Sequence, residues 1–389
     1  MRLKRILLFG GVCLFVLSIQ AQSLSSSLHP KREFRAAWIQ TVHGHFRDMP
    51  TRQLQDTLLV MLDSLRQVGM NAVIFQVRPE ADTFYSSELE PWSRFLTGEQ
   101  GKKPEPEWDP MRFMIEECHR RAMEFHAWIN PYRVKNKLDD ELASTHIYNR
   151  HPEWFVVYGD QLFFDPALPE SREHICRVVG DIVRRYDIDA IHMDDYFYPT
   201  VDEGIDVDLY TNYRNEGGEL SLDDWRRENV NTFISGLYSS VKSIKQDVKV
   251  VISPAGDIEK NYSMLYADVL KWCSQGGYAD IVMPQLYYGF KNSSKPFLKM
   301  LNLWSEAVKS GNVKLCVGLA YYKSGKTDEN AGDGINEWCE NGNICSEEIR
   351  YSRRKDNYCG FSVYSYSYLF AENKSENAEK EYLNMKNVL

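Results

Sequence analysis

The chain has 389 residues, 43% of them apolar and 13% aromatic, with 55 Asp and Glu against 46 Lys and Arg for a formal charge of −9. That much apolar material fills a sizeable core, which excludes a disordered chain. The acidic balance excludes nucleic acid as a natural partner, because backbone phosphates demand a basic face.

In chain order, Arg2, Lys4 and Arg5 precede an apolar stretch from Ile6 to Ile19 and then Gln20-Ala21-Gln22. This pattern reads as a secretory leader over residues 1–21, too short to span a bilayer comfortably. Its removal takes three positive charges and Cys13, leaving a mature chain of net charge −12 with seven cysteines and no membrane span. Residues 22–33, with "SLSSSL", form a lead-in; their serines lack the strand-turn-helix setting of a nucleophile elbow. "HGH" at His43 to His45 is a lone His-x-His pair, weak as a metal site. Cys339, Cys345 and Cys359 lie close enough in sequence to supply one disulfide, with spacings unlike those of a zinc site.

Eight short apolar runs then recur, each ending in polar and aromatic residues: "FRAAWIQTV" (34–42), "AVIFQVRPE" (72–80), "FHAWINPY" (125–132), "AIHMDD" (190–195), "VKVVISPAG" (248–256), "ADIVMPQLYY" (279–288), "KLCVGLAYY" (314–322) and "GFSVYSYSY" (360–368). Amphipathic helical patterns separate them, such as "DPMRFMIEECHRRAMEF" with Asp109 at its N-cap and Pro110 at the first helical position. Eight strands alternating with helices predict an α/β fold, a (β/α)8 TIM barrel over residues 34–370 as one domain with enlarged loops, followed by a C-terminal helix over 371–389. A doubly wound open sheet is the alternative, but it would usually announce a Gly-rich phosphate turn, and none is present. A barrel gathers all eight decorated strand ends around one pocket.

Strand alternation assigns faces. In "AIHMDD", Ile191 and Met193 suit the outer face, turning Ala190, His192 and Asp194 inward and leaving Asp195 at the rim. In the second run Val73, Phe75 and Val77 face out, and Gln76, Arg78 and Glu80 face in. In the third, Ala127 and Ile129 face out, and Trp128, Asn130 and Tyr132 face in. Gln285 and Tyr287 share a face of the sixth. The bland reading of this cluster is an ion-pair network that plugs the barrel mouth, with Arg78 neutralising Asp194 or Glu80.

Inward carboxylates with an Arg, an Asn, a Gln and many aromatics, but no nucleotide or metal signature, fit glycoside hydrolysis. Two carboxyl groups flank the scissile bond while aromatic faces stack on sugar rings. Asp194 is the expected nucleophile or base and Glu80 its acid partner, with Asp195 and Asp257 as reserves. No cofactor is expected. The competing readings are a non-catalytic glycan-binding barrel, a hydrolase of another polysaccharide, and an envelope scaffold that docks a protein partner.

As a set, "REFRAAWIQTV", "NAVIFQVRPEADTFY", "HAWINPYR", "IHMDDYFYP" and "MPQLYYGF" resemble the glycosyl-hydrolase-like 10 family, bacterial exported proteins that include divisome-associated peptidoglycan glycosidases. The resemblance runs from about Lys31 to about Phe370. It implies a TIM-barrel hydrolase of bacterial glycan, in some members peptidoglycan strands freed of stem peptides, acting in the periplasm or cell envelope. Residue by residue it implicates Arg78, Glu80 and Asp82, then Asn130, Tyr132 and Arg133, then Asp194, Asp195, Tyr196 and Tyr198, and finally Gln285 and Tyr287. Trp38 and the inward His192 complete the expected substrate contacts. One departure is "HGHFRDMP" after the first strand, where the family often carries an Asn-Ile-Asp-Trp-Pro-like turn.

Overall fold

The computed structural model describes residues 33–389. The leader and all but the last residue of the lead-in lie outside the described residues. Residues Phe34 to Leu389 form one compact unit.

Its centre is a closed barrel of eight parallel strands: β1 (Phe34–Ile39), β2 (Ala72–Arg78), β3 (Glu124–Ile129), β4 (Ala190–Met193), β5 (Lys249–Ile252), β6 (Ile281–Val282), β7 (Lys314–Leu319) and β8 (Tyr358–Val363). Each strand pairs with its neighbours in sequence, and β1 pairs with β8 to close the ring. All eight expected strands are present, and all are shorter at their C-terminal ends than the apolar runs suggest. Four of the runs contain a proline just there, Pro79, Pro131, Pro254 and Pro284. Proline cannot donate to a ladder, so the residues around it peel into loops. Those loops build the site.

Alternation sorts the side chains into two layers. Val73, Phe75, Val77, Ala127, Ile129, Ile191 and Met193 pack outward beneath the helices. Ala36, Trp38, Ala72, Ile74, Trp128, Ala190 and Val251 fill the barrel. The alanines leave room for two indoles, Trp38 and Trp128, to meet edge to face at 4.8 Å. At the seam Gly360 is required, because a Cβ there would stand 2.1 Å from the Phe34 carbonyl oxygen.

The helix Thr51–Gln67 buries Leu54, Leu58, Met61, Leu62 and Leu65, one stripe of an amphipathic helix. In the helix Pro110–Arg120 the Asp109 carboxylate accepts from the Arg112 N–H, the cap its sequence predicts. The last helix, Glu376–Val388, docks on the barrel periphery, where the Tyr321 hydroxyl donates to the Ala378 carbonyl at 2.7 Å. None of the seven described cysteines is in a disulfide. Among the described residues no helix is long and apolar enough to cross a membrane, and no group of three or more His, Cys, Asp or Glu is arranged to hold a metal.

Between β3 and β4 the chain adds a three-stranded antiparallel sheet, made of Arg133–Lys135, Phe155–Tyr158 and Gln161–Phe164. The last two form a hairpin across Gly159-Asp160, with Gly159 at φ 58°. Two apolar runs separated by Gly-Asp are a hairpin signature, so "FVVYGDQLFF" carried this signal in the sequence.

Candidate active site

At the C-terminal mouth of the barrel lies a cavity of about 590 Å³, lined by residues from seven of the eight strand ends and from the segment that follows Arg133. Asp194 and Asp195 both reach it, with Trp38, Trp128, Arg133, Tyr196, Gln285 and Tyr287. A larger groove of about 780 Å³ runs beside it, between the helix Thr51–Gln67 and Tyr366-Ser367. It shares Trp38 but contains none of the strand-end carboxylates, so the smaller cavity is the candidate site.

Asp194 is only 3% exposed. Its Oδ2 accepts from the Trp128 indole N–H at 3.1 Å and from the Asn130 side-chain amide. Asn130 is fixed in turn. Its Oδ1 accepts from Gln76, whose own oxygen accepts from the backbone N–H groups of Thr41 at 2.9 Å and Val42 at 3.2 Å. The relay from the end of β1 through β2 and β3 to β4 thus dictates which way both amides point. Asp194 Oδ1 has no donor. Burial pushes this carboxyl up to about 7; the Arg133 guanidinium opposes the rise, and the charge of Asp195 adds to it.

Asp195 is half-buried at the rim. Its Oδ1 accepts from the Gln285 amide at 3.0 Å, and the same amide donates to the Ser253 carbonyl at 3.0 Å. Burial raises this carboxyl too, against the Gln285 hydrogen bond. The loop after β5 presses on Gln285 so closely that a Cβ on Gly256 would stand 2.3 Å from its carbonyl oxygen. Over the two aspartates the Arg133 guanidinium lies 4.9 Å from the Tyr196 ring, and Tyr196 is 48% exposed. Opposite stands a wall of tyrosines: Tyr287 meets Tyr322 at 5.7 Å and Tyr364 at 6.2 Å, and Tyr364 lies 6.3 Å from Trp38. His192 is beneath the floor, with Nε2 2.9 Å from the Ser253 hydroxyl and its ring 4.4 Å from Trp38; burial keeps it uncharged.

Six of the expected site residues lie elsewhere. Arg78 does not face the barrel axis, because the pairing of β2 with β3 shifts register between Gln76 and Arg78 and the alternation breaks there. It forms a fully buried bidentate pair with Glu90, at 2.7 and 2.5 Å, and donates to the Pro131 carbonyl at 3.0 Å. It neutralises neither Asp194 nor Glu80. Burial would raise Glu90, but Arg78, with His174, holds it down to about 2.

Glu80 follows Pro79 and turns away from the cavity. It is 1% exposed and accepts from Arg94 at 2.8 Å and from Asn136, both of which line the cavity in its place. Burial, reinforced by Asp82, pushes Glu80 up to about 7. Asp82 is buried behind it, accepting from Gln100 at 3.1 Å and from the Glu80 N–H at 3.2 Å. Tyr132 is past the end of β3, where Pro131 has ended the alternation, and packs against Phe233 at 5.1 Å. Tyr198 packs against Tyr266 at 5.2 Å, beneath the Arg226 guanidinium. Asp257 caps the short helix Ile258–Ser263 and pairs with Lys295 at 2.6 Å; burial would raise its carboxyl, but the pairing keeps it below the usual range.

The cavity also contains residues that strand patterns did not single out as site residues. Arg94 comes from a helical turn capped by Ser93, and Asn136, Lys137 and Asp140 come from the loop after the first strand of the added sheet. Arg94 bridges Glu80 and Asp140, the latter at 2.5 Å. Tyr322 and Tyr364 stand at the ends of β7 and β8, where tyrosines crowd the sequence.

Residues 33–333 match the glycosyl hydrolase-like 10 family. The chain is 37% identical over 332 residues to glycosyl hydrolase YngK of Bacillus subtilis (strain 168), covering 79% of this chain and 64% of that protein. It is 34% identical over 319 residues to glycosyl hydrolase DigH of Escherichia coli (strain K12), covering 75% and 71%. The chain therefore spans less than two thirds of the length of the Bacillus protein. Among solved structures it shares its fold with the PgaB (BpsB) glycoside hydrolase domain from Bordetella bronchiseptica, with a TM-score of 0.58 and 11% identity over 91% of this chain and 99% of that one. The Geobacillus thermoleovorans alpha-amylase shares it as well, with a TM-score of 0.52 and 10% identity over 92% and 78%. By its sequence, this chain belongs to the glycosyl hydrolase-like 10 family.

Proposed function

We propose that the protein is an exported glycoside hydrolase that cleaves a bacterial glycan, with peptidoglycan glycan strands as the first substrate to test. The observation that carries this reading is the pair Asp194 and Asp195 in one cavity faced by Trp38, Tyr196, Tyr287, Tyr322 and Tyr364. Carboxyl groups with raised proton affinity supply acid–base catalysis at neutral pH, and aromatic faces hold sugar rings. Glu80 lies behind Arg94 and Asn136, so the working pair is Asp194 with Asp195. The leader-like first residues support export, and the acidic surface suits a carbohydrate better than a polyanion.

The test is to incubate the purified protein with peptidoglycan, intact and stripped of its peptides, and to read the products by mass spectrometry beside Asp194→Asn and Asp195→Asn. New fragments that depend on both aspartates are expected, and their end groups name the bond. Retention of the strands on the protein with no new reducing ends would replace this reading with a glycan-binding barrel.

A further inference from the structure

We infer, on the basis of the hydrolase reading above, that the nucleophile is the substrate's own 2-acetamido group, with Asp194 receiving the amide N–H and Asp195 protonating the leaving oxygen. The substrate class is then a glycan whose cleaved residue is an N-acetylated 2-amino sugar.

Three observations meet here. First, the carboxylates lining the cavity among the described residues are Asp140, Asp194 and Asp195, and Asp140 is engaged by Arg94 at 2.5 Å. Asp194 and Asp195 are consecutive just past the end of β4, so both carboxyl groups enter the cavity from the mouth of a single strand. A pair that acts by direct displacement must flank the anomeric carbon from opposite sides, about 5–5.5 Å apart for retention or about 6.5–9.5 Å for inversion. A substrate that carries its own nucleophile removes that requirement.

Second, Asp194 Oδ1 is buried without a donor while Oδ2 has two. A buried acceptor left unpaired is costly, and a ligand amide N–H satisfies it. Third, the floor beside it is apolar: Trp128 and Trp38 edge to face, with Tyr364 next to Trp38. That is a seat for an acetyl methyl group.

In the first step the acetamido oxygen bonds to C1 as the bond from C1 to the leaving sugar breaks. The electron pair of the broken bond goes to the leaving oxygen, which takes the Asp195 proton. The substrate N–H favours the Asp194 carboxylate, whose charge favours the proton on Asp195, and Asp194 holds that N–H as positive charge develops on the five-membered ring. Water then adds to C1, gives its proton to Asp195, and returns the ring oxygen to the acetyl carbonyl. Two displacements leave the anomeric configuration as it began.

The experiment uses the parent protein on glycan strands it cleaves, after removing their N-acetyl groups and rebuilding them as acetyl, as trifluoroacetyl or not at all. The trifluoroacetyl oxygen is a poor nucleophile, so kcat/KM should fall about 10²-fold or more, with cleavage lost on the free amine. NMR of the first product should show a retained anomer. The 1,2-thiazoline of N-acetylglucosamine, a stable mimic of the bicyclic intermediate, should bind more tightly than N-acetylglucosamine, and Asp194→Ala should lose that preference. An inverted product, undiminished rates on trifluoroacetyl strands, or a sugar trapped covalently on an aspartate would overturn the inference and leave the hydrolase reading standing. No cleavage of any strand by the parent would overturn both.

Discussion

Replacing Arg78 by methionine tests whether this arginine serves the fold or the substrate. The guanidinium is fully buried, makes two bonds to Glu90, and also donates to the carbonyls of Asn130 and Pro131. Glu90 is held near 2 against an ordinary value of 4.5, a difference worth about 3 kcal/mol at 1.36 kcal/mol per unit. Breaking a buried pair by removing one partner costs about 3–5 kcal/mol, so both routes give the same expected loss at pH 7.

The sign with pH follows from the depressed carboxyl. In the parent, Glu90 contributes stability that is present above 4.5 and lost as pH falls through about 2. In Arg78→Met its burial is no longer opposed by the guanidinium, so it takes a proton at higher pH. The deficit against the parent should therefore narrow between pH 7 and pH 4. Urea unfolding of both proteins across that range is the assay, and Glu90→Gln added to Arg78→Met should recover part of the loss. A variant as stable as the parent that nevertheless loses kcat/KM on glycan would refute the reasoning and return Arg78 to the substrate.

Three further outcomes are expected. Glu80→Gln, altering a group behind the cavity wall, should lower kcat by less than about tenfold, whereas Asp195→Asn should lower it by about 10² or more, measured as release of reducing ends. If Asp194 must be ionised to hold the amide, kcat/KM should fall on the acid side with a limb near 7, and Arg133→Gln should move that limb upward by removing the charge that holds Asp194 down; a limb unmoved in Arg133→Gln would count against the assignment. At the periphery, Glu381 is buried beside Glu348 and pushed up to about 7, so its contribution is fully present below about 4.5 and lost as pH rises through 7. This one group should cost the parent on the order of 3 kcal/mol of unfolding free energy between pH 5 and pH 8 in urea titrations, and Glu381→Gln should remove that part of the drop.

The sequence by itself determined the barrel and half of the site. Eight apolar runs alternating with amphipathic helices admit few packings, and period-two alternation placed Trp128 and His192 inside because a strand's faces are set by local geometry. The same rule placed Asp194 at the mouth. It failed at three positions: Pro79 and Pro131 release Glu80 and Tyr132 from the strand period, and the register shift in β2 turns Arg78 to Glu90. Beyond a strand's last ladder bond, a side chain's direction is decided by loop packing and by whichever charged partner is near in space. Such partners are distant in sequence, as Arg94 and Asn136 are from Glu80. That Asp194 is left with one oxygen unpaired, held by a relay running back to Thr41, depends on four strands meeting at one mouth, which only the closed barrel decided.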